Sequence, residues 1–192
     1  MKSLTQFGKS GFLKISATAL VFLVGMPQIV GASDPQYYQG TAALCAVSPN
    51  MFLPPETKGN NGILYVNDLI MVWQIKSTDS ELMNGTELMH ANWKQTKSGT
   101  QFQSGELVMT PDVYVGTGTF EEKFKFKIDP AAPITGTYTG TGDLKGVSAD
   151  YELTPNEGVF CEETFDWASA CPTCMPFNPG GYDMSGWIYG LE

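Results

Sequence analysis

Arginine is absent from the 192-residue sequence, and histidine occurs only once, as His90. Arginine is the side chain best suited to bidentate recognition of phosphates and bases, so its absence argues against a nucleic-acid-binding protein. The chain carries 20 acidic residues against 11 lysines, a formal net charge of −9. Such a chain repels nucleic acids and anionic membrane surfaces, and we expect neither as a main partner.

Apolar runs long enough to span a membrane are also absent. The run over residues 15–26, ISATALVFLVGM, follows three lysines and precedes Pro27, whereas a membrane helix needs about 18 or more apolar residues. This pattern predicts a secretory signal peptide over residues 1–32, cleaved after Ala32, with an uncleaved membrane anchor as the alternative. The mature chain would begin at Ser33, with eight lysines against 20 acidic residues and a net charge of −12.

Between Ile63 and Leu153 the sequence alternates with a period of two. In EEKFKFKID, Phe124, Phe126 and Ile128 alternate with three lysines, as in a strand with one apolar and one charged face. Turn pairs such as Asn84-Gly85 and Ser98-Gly99 separate short runs of this kind. The pattern predicts an all-β, antiparallel sandwich or barrel.

Three regions follow the expected signal peptide. Residues 33–62 should hold a first strand, Ala42–Val47, and a proline-rich loop. Residues 63–156 should form the β-rich core. Residues 157–192 are rich in aromatics, glycine and proline, which predicts an irregular C-terminal tail. Because a disordered tail is usually poor in aromatic residues, we expect this one to dock, either over a ligand site or along the outer wall.

The glycine-rich stretch PITGTYTGTGDLKGVSADYEL, over residues 133–153, could be a phosphate-binding loop or a β-hairpin. Its spacing, G-x-G-x-x-x-G, is one residue too long for the dinucleotide fingerprint, which also requires a strand that leads into a helix. Here Ala149, Tyr151 and Leu153 alternate with acidic residues as a second strand does. The stretch therefore predicts a hairpin that turns over residues 143–146.

The same stretch resembles the penultimate hairpin of the allene oxide cyclase and dirigent barrel superfamily. Its Gly140, Gly142, Leu144, Gly146 and Val147 match the family pattern, although Ala149 stands where glycine is commoner. SELMNGTELMHANW and YVGTGTFEEKFKF resemble the preceding strands, and the resemblance covers about residues 82–154. It implies a closed antiparallel barrel of about eight strands, able to hold one small ligand. No catalytic residue can be transferred from the family.

Four cysteines in an exported chain indicate two disulfides. Cys171-Pro-Thr-Cys174 could also be a redox pair or part of a zinc knuckle, but no strand–helix unit or second ligand pair accompanies it. If the chain forms a barrel, closure brings its first and last strands together. This favours a disulfide between Cys45 and Cys161 and another between Cys171 and Cys174. We expect no metal and no cofactor.

The remaining chemistry-bearing residues have ordinary structural interpretations. His90 lies opposite the Met89/Trp93 face, so it is either solvated or, with the faces swapped, inside a cavity. Glu121 and Glu122 are sequence neighbours and would point to opposite faces of a strand, as surface charges. The candidate ligand-binding residues are the aromatics expected inside the barrel, where core packing is the alternative role: Trp73, Trp93, Phe124, Phe126, Tyr138 and Tyr151.

These observations favour an exported β-barrel, secreted or periplasmic, that binds a small apolar molecule and has no membrane span once the signal is removed. An isomerase or cyclase acting on a hydrophobic molecule is one alternative. A structural or adhesive surface protein with a solid barrel is another. A buried acid with a perturbed pKa would favour the enzyme, and an exposed aromatic patch on a filled barrel would favour the interaction protein. The sequence leaves oligomerisation open.

Overall fold

The structure is a computed structural model that describes residues 34–58, 62–112, 117–128 and 132–191. The expected signal peptide, with its cleavage site before Ser33, lies outside these residues. The described residues form ten strands: β1 (Gln36–Val47), β2 (Glu56–Lys58), β3 (Ile63–Ser77), β4 (Gly85–Gln95), β5 (Gln101–Pro111), β6 (Phe120–Ile128), β7 (Ile134–Gly140), β8 (Ser148–Asn156), β9 (Met175–Pro176) and β10 (Gly181–Tyr189). The one α-helical turn in these ranges is α1 (Trp167–Ala170), and none of their helices is long and apolar enough to cross a membrane.

Eight of the strands close into an antiparallel barrel. Strands β3 to β8 form a meander in which each strand pairs with the next one along the chain. Strand β10 then pairs with β8 on one side and with β1 on the other, and β1 pairs with β3 to complete the circle. The short β2 and β9 add to the edges of β3 and β1. The predicted antiparallel barrel of about eight strands is confirmed.

Alternation along the strands separates the interior from the outer wall. On β6 the aromatic residues Phe120 and Phe124 are buried, whereas Lys123, Lys125 and Lys127 are exposed. On β10, Met184 and Ile188 are buried in the same core. The period-two pattern therefore identified the face of β6 that stabilises the barrel by burial of apolar surface.

The glycine-rich stretch is the hairpin predicted from the sequence. Strands β7 and β8 pair in antiparallel register from Ile134↔Leu153 to Thr139↔Ser148. A 3₁₀ turn over Gly142–Leu144 joins them, and Gly142 and Gly146 have φ angles of 56° and 98°. Glycine adopts these angles without the steric penalty of a side chain. A phosphate-binding strand–helix unit is excluded here.

The tail is only partly irregular, and this corrects the sequence prediction. Residues 157–180 contain just α1 and β9, but Gly181–Tyr189 is a full barrel strand. The prolines that suggested irregular structure, Pro172, Pro176 and Pro179, all lie before this strand. Within it, Met184 and Ile188 fill inward positions, so the segment both pairs and buries its apolar face. Strand β1 likewise begins at Gln36, earlier than the expected Ala42.

Residues 159–174 of the tail pack on the outer wall of the barrel. Phe165 and Trp167 cover outward-facing residues of β1 and β3, including Ala43 and Val72. Glu162 holds the segment in place, because its backbone N–H donates to Gln74 and its carboxylate accepts from Gln74 and pairs with Lys76 at 2.9 Å. Of the two dockings considered, outer-wall packing is the one observed for this segment.

Both cysteine pairings favoured from the sequence are confirmed. Cys45 and Cys161 are joined with their Cα atoms 5.6 Å apart, and Cys171 and Cys174 with theirs 5.3 Å apart. The first bridge ties β1 to the segment on the outer wall rather than joining two neighbouring barrel strands. The second closes a short turn after α1.

Candidate functional site

A cluster of two carboxyls and three phenols lies inside the barrel. Its members are the side chains of Tyr38, Glu87, Glu122, Tyr138 and Tyr151, from five different strands. Tyr38, Tyr138 and Tyr151 belong to the main hydrophobic core, so the polar groups are surrounded by apolar atoms. Burying a charge in such a place is costly unless it is paired or neutralised. These five residues are called the interior polar cluster below.

Glu87 is the most deeply buried member, with 5% of its surface exposed. Tyr138 donates a hydrogen bond of 2.5 Å to its Oε2. Burial raises the pKa of Glu87 to about 7; the charge of Glu122 adds to this and the hydrogen bond from Tyr138 opposes it. Burial, followed by the charge of Glu87, raises the pKa of Tyr138 well above its usual range. The carboxyl therefore exchanges its proton near neutral pH, while the phenol stays a donor.

Glu122 lies where the pairing of two strands stops. Strands β6 and β7 share only the pairs Phe120↔Gly140 and Glu121↔Thr139. Just beyond them, the Glu122 carboxyl accepts hydrogen bonds from the Thr137 backbone and the Tyr151 hydroxyl. Its Oε2 has no hydrogen-bond partner in the part of the chain that the structure describes. Burial raises the pKa of Glu122.

Glycines make room for the two tyrosines that span this part of the wall. Tyr151 lies beside Gly136 on β7, where a Cβ atom would overlap the phenol Oη and Cζ. At Gly186 a Cβ atom would overlap the backbone oxygen of Asp150 and lie 2.9 Å from the Tyr38 hydroxyl, which donates to that oxygen at 3.0 Å. Burial raises the pKa of both phenols. Both tyrosines therefore stay protonated and act as hydrogen-bond donors.

A groove of about 760 Å³ lies along the junction of β6 with β7 and reaches Glu122 from outside. Its walls carry Glu106, Lys123 and Thr139, which belong to the outer face, and its inner end is formed by Leu107 and Glu122. We call it the seam groove. The groove therefore lies against Glu122, whose Oε2 is itself buried and has no hydrogen-bond partner among the described residues.

A second recess, the mouth recess, opens at the end of the barrel where β1 ends and β3 begins. It holds about 400 Å³, and its lining is apolar except for one glutamine: Met51, Leu53, Pro55, Val66, Leu69, Met71, Trp93, Gln103 and Ile128. A loop after β1 covers part of this recess, and its Leu53 is 61% exposed. Beside it Phe52 meets Phe177 edge-on, with ring centroids 5.5 Å apart.

All six aromatics expected inside the barrel are directed there. Trp93 lines the mouth recess and donates from Nε1 to Gln101 at 3.3 Å. Phe124 and Phe126 stack at 5.4 Å, and Tyr138 and Tyr151 approach to 4.8 Å in the interior polar cluster. Trp73 instead packs against Tyr182 at 5.7 Å beside a smaller recess of about 200 Å³. The six aromatics are therefore divided between four places, and Trp93 is the one that borders the mouth recess.

His90 is exposed on the outer wall of β4, which decides between its two expected positions. It pairs in the ladder with Ile70 and Glu106, away from both carboxyls of the interior. Within the described ranges, no group of three or more histidine, cysteine, aspartate and glutamate side chains is placed to hold a metal ion.

Sequence reasoning missed the carboxyls of the interior polar cluster and took Glu122 for a surface charge, which is wrong. The alternation already contained the signal. Glu87 lies two residues before Met89, so it is on the same face of its strand as Met89, Ala91 and Trp93. Glu122 lies two residues before Phe124 and shares a face with Phe124 and Phe126. An acidic residue in register with an apolar face is buried on any strand that keeps its alternation.

No protein-family model matches the chain, and searches of curated proteins and of solved structures also find no match. A barrel shape alone does not identify the allene oxide cyclase and dirigent superfamily, so that resemblance stays a prediction.

Proposed function

We propose that the protein binds a small apolar molecule in the mouth recess. The observation that carries this proposal is the lining, in which eight of nine residues are apolar and enclose about 400 Å³. Sites for small molecules are concave, largely apolar and of about 300–1,000 Å³, with a few polar groups that orient the ligand. Gln103 is the polar group available for that purpose.

The loop over the mouth recess supports the same proposal. Met51, Phe52 and Leu53 are three consecutive large apolar residues, and all of them are exposed. Burying such a side chain contributes roughly 1.5–3 kcal/mol, so a ligand that this loop could close upon would gain from the contact. A solid barrel has no need of an exposed apolar loop at this end.

Binding can be tested with Nile red, a neutral apolar dye whose fluorescence rises in apolar surroundings. The double variant Met51→Ser, Leu53→Ser should bind the dye about tenfold or more weakly, since it removes two apolar contacts from the recess. Trp187→Ala, which removes an exposed aromatic ring elsewhere, is the matched control and should bind as the wild type does. A wild-type protein that binds no dye would favour the solid barrel of a structural or adhesive protein.

We also propose that the protein is exported and begins at Ser33. The lysine-flanked apolar run of residues 15–26 and the two disulfides support this, because disulfides persist in oxidising compartments. N-terminal sequencing of protein recovered outside the cytoplasm should read Ser33 first. Recovery of the exported form with Met1 retained would contradict the proposal.

Proton transfer at Glu122 is a second candidate function, in line with an isomerase or cyclase. Its specific support is that Glu122 lines the seam groove, has a raised pKa and has one buried oxygen, Oε2, without a hydrogen-bond partner among the described residues. Groups of this kind are over-represented in active sites. The bond from Thr137 also gives Glu122 a structural role, because it replaces backbone pairing that β6 and β7 lack.

Isomerisation can be tested without knowing the substrate. Wild type and Glu122→Gln would be purified from the native host, and the small molecules they retain compared by mass and chromatography. The glutamine keeps an acceptor for Thr137 but cannot transfer the proton, so the variant should retain substrate and the wild type its isomer, with equal masses and different elution. Identical molecules in both proteins would rule out chemistry at Glu122.

A further inference from the structure

A pair of aromatic rings lies on the outer wall of the barrel, outside the mouth recess and the seam groove. Tyr37 on β1 and Trp187 on β10 are directly opposite each other in the ladder. Their rings meet edge to face with centroids 5.1 Å apart, yet 46% of Tyr37 and 45% of Trp187 remain exposed. Large rings that stay exposed forgo the stabilisation that burial of their apolar surface would provide. Exposed apolar patches of this kind mark sites of interaction.

Polar side chains extend this aromatic pair across two more strands. Trp187 is opposite Asp150 on β8, which is in turn opposite Thr137 on β7. Thr137 donates from Oγ1 to Asp150 Oδ1 at 2.8 Å, and the Tyr189 hydroxyl hydrogen-bonds the same carboxylate. Four strands spaced about 4.8 Å apart give a row roughly 14 Å long, with rings at one end and fixed polar groups at the other.

This row borders a groove of about 480 Å³, which we call the outer groove. Its floor is backbone, at positions such as Gly136 and Gly186 whose inner side faces the interior polar cluster. Beyond the floor, a second row of polar residues, Thr135, Glu152 and Ser185, lines the same groove. A ligand in it would meet aromatic faces, hydroxyls and carboxylates together.

The charges around the outer groove narrow the class of ligand. The four strands that form it contain no lysine, and the chain contains no arginine. Asp150 and Glu152 therefore repel an anionic ligand with no cation on these strands to offset them. A purely apolar ligand would desolvate both carboxylates and the surrounding hydroxyls without replacing their hydrogen bonds. A neutral ligand rich in hydroxyls can form hydrogen bonds with these carboxylates and hydroxyls.

We propose that the outer groove binds a neutral oligosaccharide. The C–H faces of sugar rings pack on Trp187 and Tyr37, since both rings combine apolar area with a polar edge. Sugar hydroxyls donate to the carboxylates of Asp150 and Glu152 and exchange hydrogen bonds with Thr137. The length of the row suits several linked sugar rings better than a single one. This activity is separate from the proposed mouth ligand and uses none of its residues.

The test is calorimetric titration of the full-length mature protein with neutral oligomers of glucose, mannose, xylose and N-acetylglucosamine. We expect the wild type to bind at least one of them. Trp187→Ala and Tyr37→Ala should each weaken that binding about tenfold, whereas Trp187→Phe, which keeps a ring, should lose much less. Both altered residues are exposed, and unchanged circular dichroism would confirm that the variants fold.

Phe52→Ala is the matched control, because Phe52 is another exposed ring, located beside the mouth recess. It should leave sugar binding unchanged, and the Trp187 and Tyr37 variants should leave Nile red binding unchanged, so the two proposals fail independently. The oligosaccharide proposal is overturned if no neutral oligomer binds at millimolar concentration, or if Trp187→Ala binds as tightly as the wild type. Binding of chitosan oligomers alone would also overturn it, since those are cationic.

Discussion

Tyr138 and Glu87 meet across the interior of the barrel, although their strands, β7 and β4, are not neighbours in the sheet. The phenol donates a 2.5 Å hydrogen bond to the carboxyl, over 51 positions of sequence. The bond fixes the carboxyl among apolar side chains, where its charged form is disfavoured. The stability of the protein must then depend on whether Glu87 carries its proton.

Glu87→Gln should remove a pH-dependent loss of stability. The pKa of Glu87 is about 7 in the folded protein, against about 4.3 for an unfolded glutamate. Between these values the folded protein holds a proton that the unfolded chain has released, so stability is full at low pH and falls as the pH rises towards 7. From about pH 4 to pH 8, the free energy of unfolding of the variant should therefore rise relative to that of the wild type by on the order of 3 kcal/mol.

Urea unfolding at a series of pH values measures this difference. Glu106→Gln, on the exposed outer face of β5, is the matched control and should show no such shift. Equal pH dependence in wild type and Glu87→Gln would mean that Glu87 keeps an ordinary pKa in the folded protein.

The two disulfides should differ in their contribution to stability. Cys45–Cys161 spans 116 positions and Cys171–Cys174 spans 3. The loop-entropy relation gives about 5 kcal/mol for the first and about 2 kcal/mol for the second. Replacing each pair with alanine and unfolding the proteins in guanidinium should therefore show the larger loss for Cys45 and Cys161. The reverse order would indicate that unfolded-chain entropy does not dominate here.

Gly136→Ala should destabilise the barrel through Tyr151. The added methyl would overlap the Tyr151 phenol and lie 2.6 Å from Glu122 Oε1, so the ring must move and loosen its bond to Glu122. We expect a loss of about 1–3 kcal/mol in urea unfolding. Gly158→Ala is the control, because its nearest neighbour would be Asn156 Oδ1 at 3.2 Å. In a Tyr151→Ala background the cost of Gly136→Ala should shrink, and an undiminished cost would refute this explanation.

Truncation after Glu163 should unfold the barrel rather than uncover it. The deletion removes β10, which pairs with both β8 and β1, and leaves two strand edges without partners. Circular dichroism of the truncated chain should lose its β signal. A synthetic peptide of residues 181–192 should restore part of it by adding the strand back. A truncated protein that keeps the β signal would contradict the closing role of β10.

The strands of the core could be predicted because alternation marks them directly. The rows of Phe124 with Phe126 and of Ala149 with Tyr151 follow from the pleat of a strand. β10 could not be predicted in this way, because Gly186 interrupts its row of inward apolar positions. Its stability depends on pairing with β8 and β1, which lie elsewhere in the chain.

The candidate sites could likewise be predicted only in part. Trp93 and Tyr138 could be placed inside the barrel from alternation alone. The meeting of Glu87 with Tyr138, and of Trp187 with Tyr37, depends on which strands face or adjoin each other after closure. Local sequence carries no information on that register, so both clusters needed the folded structure.

The position of β10, after all the other barrel strands in the chain, has a consequence for how the molecule is made. During synthesis from the N-terminal end, β1 emerges first, and its second neighbour in the barrel appears only with the last strand. In that interval β1 and β8 are open edges, which makes folding slow and the unfinished chain prone to aggregate. No cysteine separates Cys45 from Cys161, so the first thiol that Cys45 can meet on the emerging chain is its native partner. The order of the cysteines thus favours the native Cys45–Cys161 disulfide over non-native pairings while the sheet is still incomplete.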